Sequence, residues 1–186
     1  MTKPRLHLVA PADINPDQIA DCAEAACAAG DAASILIQPA RAKALVTPLQ
    51  RLGLAVLIAG DPQVAMANSA DGVEIAGLEA LREARRILGP DRVVGAFCGT
   101  SRHRAMELAE AGADYVAFAQ EGRLDLISWW SEIFEIPCIA VEPVTAVNLD
   151  ILLPHNPDFI RPDDAMWTSP EAARDIIEGL TARLTG

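Results

Sequence analysis

The chain has 186 residues, of which 51% are hydrophobic and only 4% aromatic, and a formal net charge of −11. That length fits one domain over residues 1–186, with enough apolar content for two layers of core. The acidic balance excludes nucleic acid and anionic membranes as partners, since both need clustered Lys and Arg, and no apolar run is long enough to span a bilayer.

In chain order, eight short apolar, β-rich stretches each run into a stretch with helical periodicity. The predicted strands are Leu6–Ala10, Ser34–Gln38, Ala55–Ala59, Gly72–Ala76, Arg92–Cys98, Asp114–Ala119, Ile136–Val141 and Asp158–Arg161. Their starts lie roughly 17 to 28 residues apart, the room that a strand, a helix and two short loops occupy. Eight successive βα units predict an α/β fold, a compact (β/α)8 TIM barrel rather than an open sheet. The chain is short for that architecture, which usually takes about 250 residues. Helices and loops must therefore be trimmed.

The helix boundaries follow capping physics. Asn15-Pro16 opens a helix over Asp17–Ala29 that stops at Gly30. The helix over Gly77–Leu88 has Glu79 and Glu83 early and Arg82, Arg85 and Arg86 late, before Gly89-Pro90. Ser101–Ala111 ends at Gly112, and Ser169-Pro170 opens Pro170–Leu184. Two units are irregular. The third helix, near Asp61–Ser69, is very short, and the seventh, Ala146–His155, is interrupted by Pro154.

Cys22, Cys27, Cys98 and Cys138 contain no CxxC pair and read as buried free thiols. The chain opens with no n-region followed by an h-region, so a cytoplasmic location is expected. His7 falls inside the first strand and reads as a core histidine. His103 is expected to face solvent from a helix, and His155 to be solvated in its proline-flanked loop. Trp129-Trp130 are expected to pack outside the barrel or in a subunit contact, which leaves a homo-oligomer open.

Several landmarks recur in order: Asp71-Gly72-Val73, Ala84-Arg85-Arg86-Ile87-Leu88-Gly89, Val93-Val94-Gly95, Ala111-Gly112-Ala113-Asp114-Tyr115-Val116, Ile136-Pro137-Cys138-Ile139-Ala140-Val141 and Asn148. This series resembles the thiamine phosphate synthase family, including its TenI-like relatives that rearrange thiazole tautomers. The resemblance implies a barrel that joins a pyrimidine methyl diphosphate to a thiazole phosphate with magnesium, through a carbocation-like step. It also implies a small-molecule site on the loops after the strands, at the C-terminal mouth.

Carried residue by residue, the resemblance places substrate contacts at Gln38, Arg41 and Lys43, where the family's Gln-x-Arg-x-Lys run becomes Gln38-Pro39-Ala40-Arg41-Ala42-Lys43. The family's Asn-Asp becomes Gly60-Asp61, and its His-Leu-Gly-Gln-x-Asp becomes Glu74-Ile75-Ala76-Gly77-Leu78-Glu79. Asp61 and Glu79 are then the magnesium candidates. Each has a plain structural alternative, Asp61 as a helix cap and Glu79 as a dipole partner. Cys98 takes the place of a serine. The hydroxyl-rich loop after strand 6 becomes Gln120-Glu121-Gly122, and Asn148 follows strand 7.

The departures concentrate where phosphate would sit. Barrel phosphate cradles form on the loops after strands 7 and 8, with glycine N–H groups aimed at the oxygens. Here strand 7 leads into Glu142-Pro143-Val144 and strand 8 into Arg161-Pro162-Asp163-Asp164. Glutamate repels an anion, and proline has no N–H to donate. Only Arg161 is suited to binding one. Glu74, Glu142, Asp163 and Asp164 stand at strand ends and predict an acidic mouth, with Glu74, Cys98, Glu142 and Asp163 as catalytic candidates. Pairing of Glu74 with Arg41 or Lys43 is the structural alternative. The functional expectation is a divergent family member with impaired phosphate recognition. An enzyme for a non-phosphorylated substrate and a non-catalytic barrel serving partner contacts are the alternatives.

Overall fold

The computed structural model describes residues 3–185. Eight parallel strands close into one barrel in sequence order. They are β1 (Arg5–Val9), β2 (Ala32–Ile37), β3 (Ala55–Ala59), β4 (Gly72–Ile75), β5 (Val93–Gly99), β6 (Tyr115–Phe118), β7 (Cys138–Val144) and β8 (Phe159–Pro162). The helices that follow them are α1 (Pro16–Ala29), α2 (Ala42–Arg51), α3 (Pro62–Ala67), α4 (Leu78–Leu88), α5 (Arg102–Glu110), α6 (Asp125–Ile133), α7 (Leu149–Leu152) and α8 (Pro170–Thr185). The last strand pairs with the first through Leu6 opposite Ile160, so no edge is left for another chain to extend. No helix among the described residues is long and apolar enough to cross a membrane.

Caps formed as expected. Asn15 Oδ1 accepts the Gln18 N–H at 2.8 Å, Ser101 Oγ that of Arg104 at 3.2 Å and Ser169 Oγ that of Ala172 at 3.1 Å. The six-residue α3 is capped by Asp61, whose Oδ1 accepts the Val64 N–H at 2.9 Å. After four residues α7 gives way to a 3₁₀ turn at Leu153–His155, since Pro154 cannot continue an α-helical ladder.

Strand alternation divides the apolar residues into two layers. Outward side chains such as Leu8, Ile35, Ile37, Val56, Ile58 and Val94 pack under the helices in the main core. Inward ones, Leu57, Tyr115, Ala117 and Ile139 with Leu36, Val93, Phe97 and Phe159, fill the barrel. Trp130 is fully buried outside the barrel, stacked on Phe134 at 4.0 Å and edge-on to Phe118 at 5.7 Å. Its indole N–H donates to the Ile136 carbonyl at 2.7 Å. Trp129 lies beside it under the Arg102 guanidinium, 4.8 Å from the ring centre. The tryptophan pair therefore packs within the chain.

The floor of the barrel is stapled by aspartates that precede alternate strands. Asp71 accepts the Val56 N–H at 2.8 Å, Asp114 that of Val94 at 2.7 Å and Asp158 that of Cys138 at 2.8 Å. Arg85 ties Asp114 to the carbonyls of Gly112 and Arg92. Much of the motif series read from the sequence, Asp71-Gly72, Arg85, Gly112 and Asp114, thus builds the N-terminal face. On that face of a barrel, recurrent residues serve stability.

Candidate functional site

The chemistry-bearing side chains that reach the barrel axis come from β1, β2, β4, β6 and β8. Register places Glu74, Gly95 and Tyr115 in one row across β4, β5 and β6. With no side chain at Gly95, the Tyr115 ring lies across that position, and its hydroxyl donates to Glu74 Oε2 at 2.9 Å. Burial pushes the Glu74 carboxyl above its ordinary range, and the Tyr115 hydrogen bond opposes this. The phenol is itself driven well up by burial and by the neighbouring carboxylate. A carboxyl with a raised pKa holds its proton more readily than an exposed one, a property that suits general acid work.

Opposite this pair, His7 is buried, with Nδ1 2.8 Å from Ser34 Oγ, and its ring centre lies 6.4 Å from that of Tyr115. Burial, assisted by the positive charge of Arg161, lowers the His7 pKa to about 4. The imidazole is therefore neutral at pH 7. The unfolded imidazole takes up a proton below about pH 6.5, whereas the folded one does so only below about 4. Between those values the unfolded state binds more protons, so this contribution is intact above pH 6.5 and is lost as pH falls, by about 3 kcal/mol at most. Urea unfolding from pH 7 to 4 is expected to show this loss, and His7→Gln should flatten the slope. An equally steep slope in the variant would assign the acid lability elsewhere.

Arg161, next in line on β8, holds both carboxylate oxygens of Asp164 through Nη2, at 2.6 and 2.7 Å, and reaches the Val141 carbonyl at 3.3 Å. Its Nε is buried without a partner among the described residues.

The remaining candidates are dispersed. Glu142 follows the inward Val141 and so points off the axis, where the register with β8 also breaks between Ala140 and Pro143. Its carboxylate accepts the Glu121 N–H, and its own N–H donates to Gln120 Oε1 at 3.1 Å. Gln120, Glu142 and Asn148 come together around a side cavity of about 180 Å³ between β6, β7 and α7. Asn148 closes the loop there, its Oδ1 accepting the Thr145 N–H at 2.7 Å. Asp163 caps the 3₁₀ turn Asp164–Thr168 through the Ala165 N–H at 2.9 Å. Arg41 donates to the Ala12 carbonyl at 2.9 Å, while Gln38 and Lys43 are exposed. Neither cation pairs with Glu74, whose partner is the phenol. The expected acidic mouth is not assembled.

Two further expectations are corrected. Cys98 faces the helix layer rather than the axis, and burial pushes its thiol up to about 12, so it is no nucleophile in this setting. His155 is half-buried and hydrogen-bonded to Ser128 Oγ rather than solvated.

The magnesium candidates do not fit a metal site. Asp61 is occupied as a cap, and the exposed Glu79 pairs with Arg82 at 2.8 Å. No group of three or more His, Cys, Asp or Glu side chains among the described residues is placed to hold a cation, and magnesium needs several converging oxygens.

Tyr115 and Ser34 were not among the predicted site residues. The available signal was a glycine flanked in register by a glutamate and a tyrosine, which becomes visible only once β4, β5 and β6 are aligned.

Comparison with known proteins agrees with this architecture. The family model described as thiamine monophosphate synthase matches residues 6–160. A thiamine-phosphate synthase of Rhodospirillum centenum is 32% identical over 191 residues, covering 91% of this chain and 92% of that protein. One from Erythrobacter litoralis is 37% identical over 147 residues, 69% of each. Among solved structures, a thiamine phosphate pyrophosphorylase from Pyrococcus furiosus superposes with a TM-score of 0.79 at 21% identity, covering 99% of this chain and 98% of that one. The match over most of the barrel, joined to the relatives' identity along nearly the whole chain, means that this protein belongs to the thiamine monophosphate synthase family.

Proposed function

We propose that this chain is a divergent member of its family that has lost efficient thiamine phosphate synthesis. In this reading the mouth takes a small, non-phosphorylated molecule, with Glu74 as the acid–base group and Tyr115 as the residue that positions it. The observation that carries the reading is the state of Arg161. Among the described residues it is the one cation at the mouth end of the axis, and both of its strong contacts are spent on Asp164. A phosphate would have to displace that carboxylate and would then meet it as a like charge.

The neighbouring backbone donors point the same way. The Glu121 N–H is held by Glu142, the Thr145 N–H by Asn148 and the Asp163 N–H by the Val144 carbonyl. Internal acceptors thus stand where an oxyanion's partners would be. The Nε of Arg161 is buried without a partner among the described residues, so it offers no exposed donor to an incoming anion. The buried thiols of Cys22, Cys98 and Cys138 suit a reducing compartment, in keeping with a cytoplasmic location.

Titration with inorganic phosphate tests the reading. The natural chain is expected to show no saturable binding at millimolar phosphate, and Asp164→Ala, which frees the guanidinium, is expected to gain at least about tenfold in affinity. Tight phosphate binding by the unaltered protein would overturn it.

A further inference from the structure

Barrels of this type are normally filled from end to end by layers of inward side chains. Here the N-terminal end holds a cavity of about 260 Å³ walled by Ser34, Ala55, Leu57, Val93, Ile139 and Phe159, with Tyr115 also lining it. The small side chains of Ser34 and Ala55 leave space that a bulky branched residue would otherwise take. The strands around it cannot collapse inward, because each is hydrogen-bonded on both sides in a closed barrel, and a cavity persists where its surroundings cannot relax. The cavity opens to solvent at the floor, and its volume is larger than the roughly 150 Å³ of an enclosed apolar cavity that holds benzene.

The polar groups define what fits. At the floor, Arg5 is paired with Asp31 at 2.8 Å and Asp114 with Arg85 at 2.8 Å. The charges are thus mutually neutralised and offer little to an ionic ligand. The Ser34 hydroxyl spends one interaction on His7 Nδ1, but a hydroxyl has one donor and two acceptor positions. It therefore keeps hydrogen-bonding capacity within an otherwise apolar wall.

We propose that this floor cavity binds a small uncharged aromatic molecule bearing one hydroxyl or comparable polar group, at the opposite end of the barrel from the mouth. The occupant touches the Tyr115 ring, the same ring whose hydroxyl holds Glu74. The two ends of the barrel therefore share one side chain.

The test uses p-cresol and benzene as probes on the full chain. Calorimetry is expected to give one saturable site for p-cresol. Tyr115 is the chain's only tyrosine, so the single ¹³C-tyrosine resonance should move with occupancy. Ala55→Phe, which fills the cavity, should abolish binding, and Ala55→Leu, a milder filling, should weaken it. Ser34→Ala should weaken p-cresol by about fivefold to tenfold while sparing benzene, the loss expected for one hydrogen bond. Absence of binding by both probes, binding that survives both Ala55 substitutions, or a tyrosine signal that does not move would overturn the assignment.

Discussion

Gly95→Ala is expected to destabilise the protein by about 3 to 5 kcal/mol and to disconnect Glu74 from its partner. A Cβ at this position would lie 1.9 Å from Tyr115 Cζ and 2.3 Å from its hydroxyl oxygen. The obstacle is a buried ring, not the free end of a flexible chain. Moving the ring costs about 1–3 kcal/mol of overpacking, and a comparable amount is lost when the Glu74 carboxyl gives up its donor in a site with little water. Urea unfolding measures the loss. In a Tyr115→Ala background the obstructing ring is gone, so Gly95→Ala should there cost less than about 1 kcal/mol, a non-additivity that contacting residues show. Equal costs in the two backgrounds would mean that the ring does not lie across Gly95.

The second large effect is expected at Trp130. Replacement by alanine removes a fully buried indole of α6 from between Phe118 and Phe134 and strands the Ile136 carbonyl. About 3–5 kcal/mol is expected from the cavity and lost transfer energy. Trp130→Phe keeps the stack and should recover more than half of it. Because Trp130 lies outside the barrel, this loss should leave the Glu74–Tyr115 pair undisturbed, which the tyrosine resonance can report. Gly95→Ala should move that resonance, and Trp130→Ala should not. The two variants thus separate damage to the scaffold from damage to the axis.

These contrasts show which parts of the molecule were legible in its residues. The barrel was, because strand and helix periodicities and local caps are short-range properties: Asn15, Asp61, Ser101 and Ser169 each cap the helix that follows them. Pro154 shortens α7 for an equally local reason. The site was less legible, because facing depends on strand parity, which an error of one position reverses. Alternation along β5 points Val93 and Phe97 inward, so Cys98 faces the helices. Along β7 it points Ile139 and Val141 inward, so Glu142 leaves the axis. The acidic residues at the strand ends looked like one cluster, but each finds its own donor: Tyr115 for Glu74, Glu121 for Glu142, Ala165 for Asp163 and Arg161 for Asp164. Those donors come from backbone and side chains whose positions depend on folding. Pro143 after strand 7 was visible directly, because a proline without an N–H is a covalent fact.

The central claim is that a family scaffold is retained here without its phosphate recognition. Isothermal titration of the full chain with thiamine phosphate and magnesium tests it most directly. The account predicts no saturable heat at micromolar to high-micromolar ligand; a micromolar dissociation constant would contradict it.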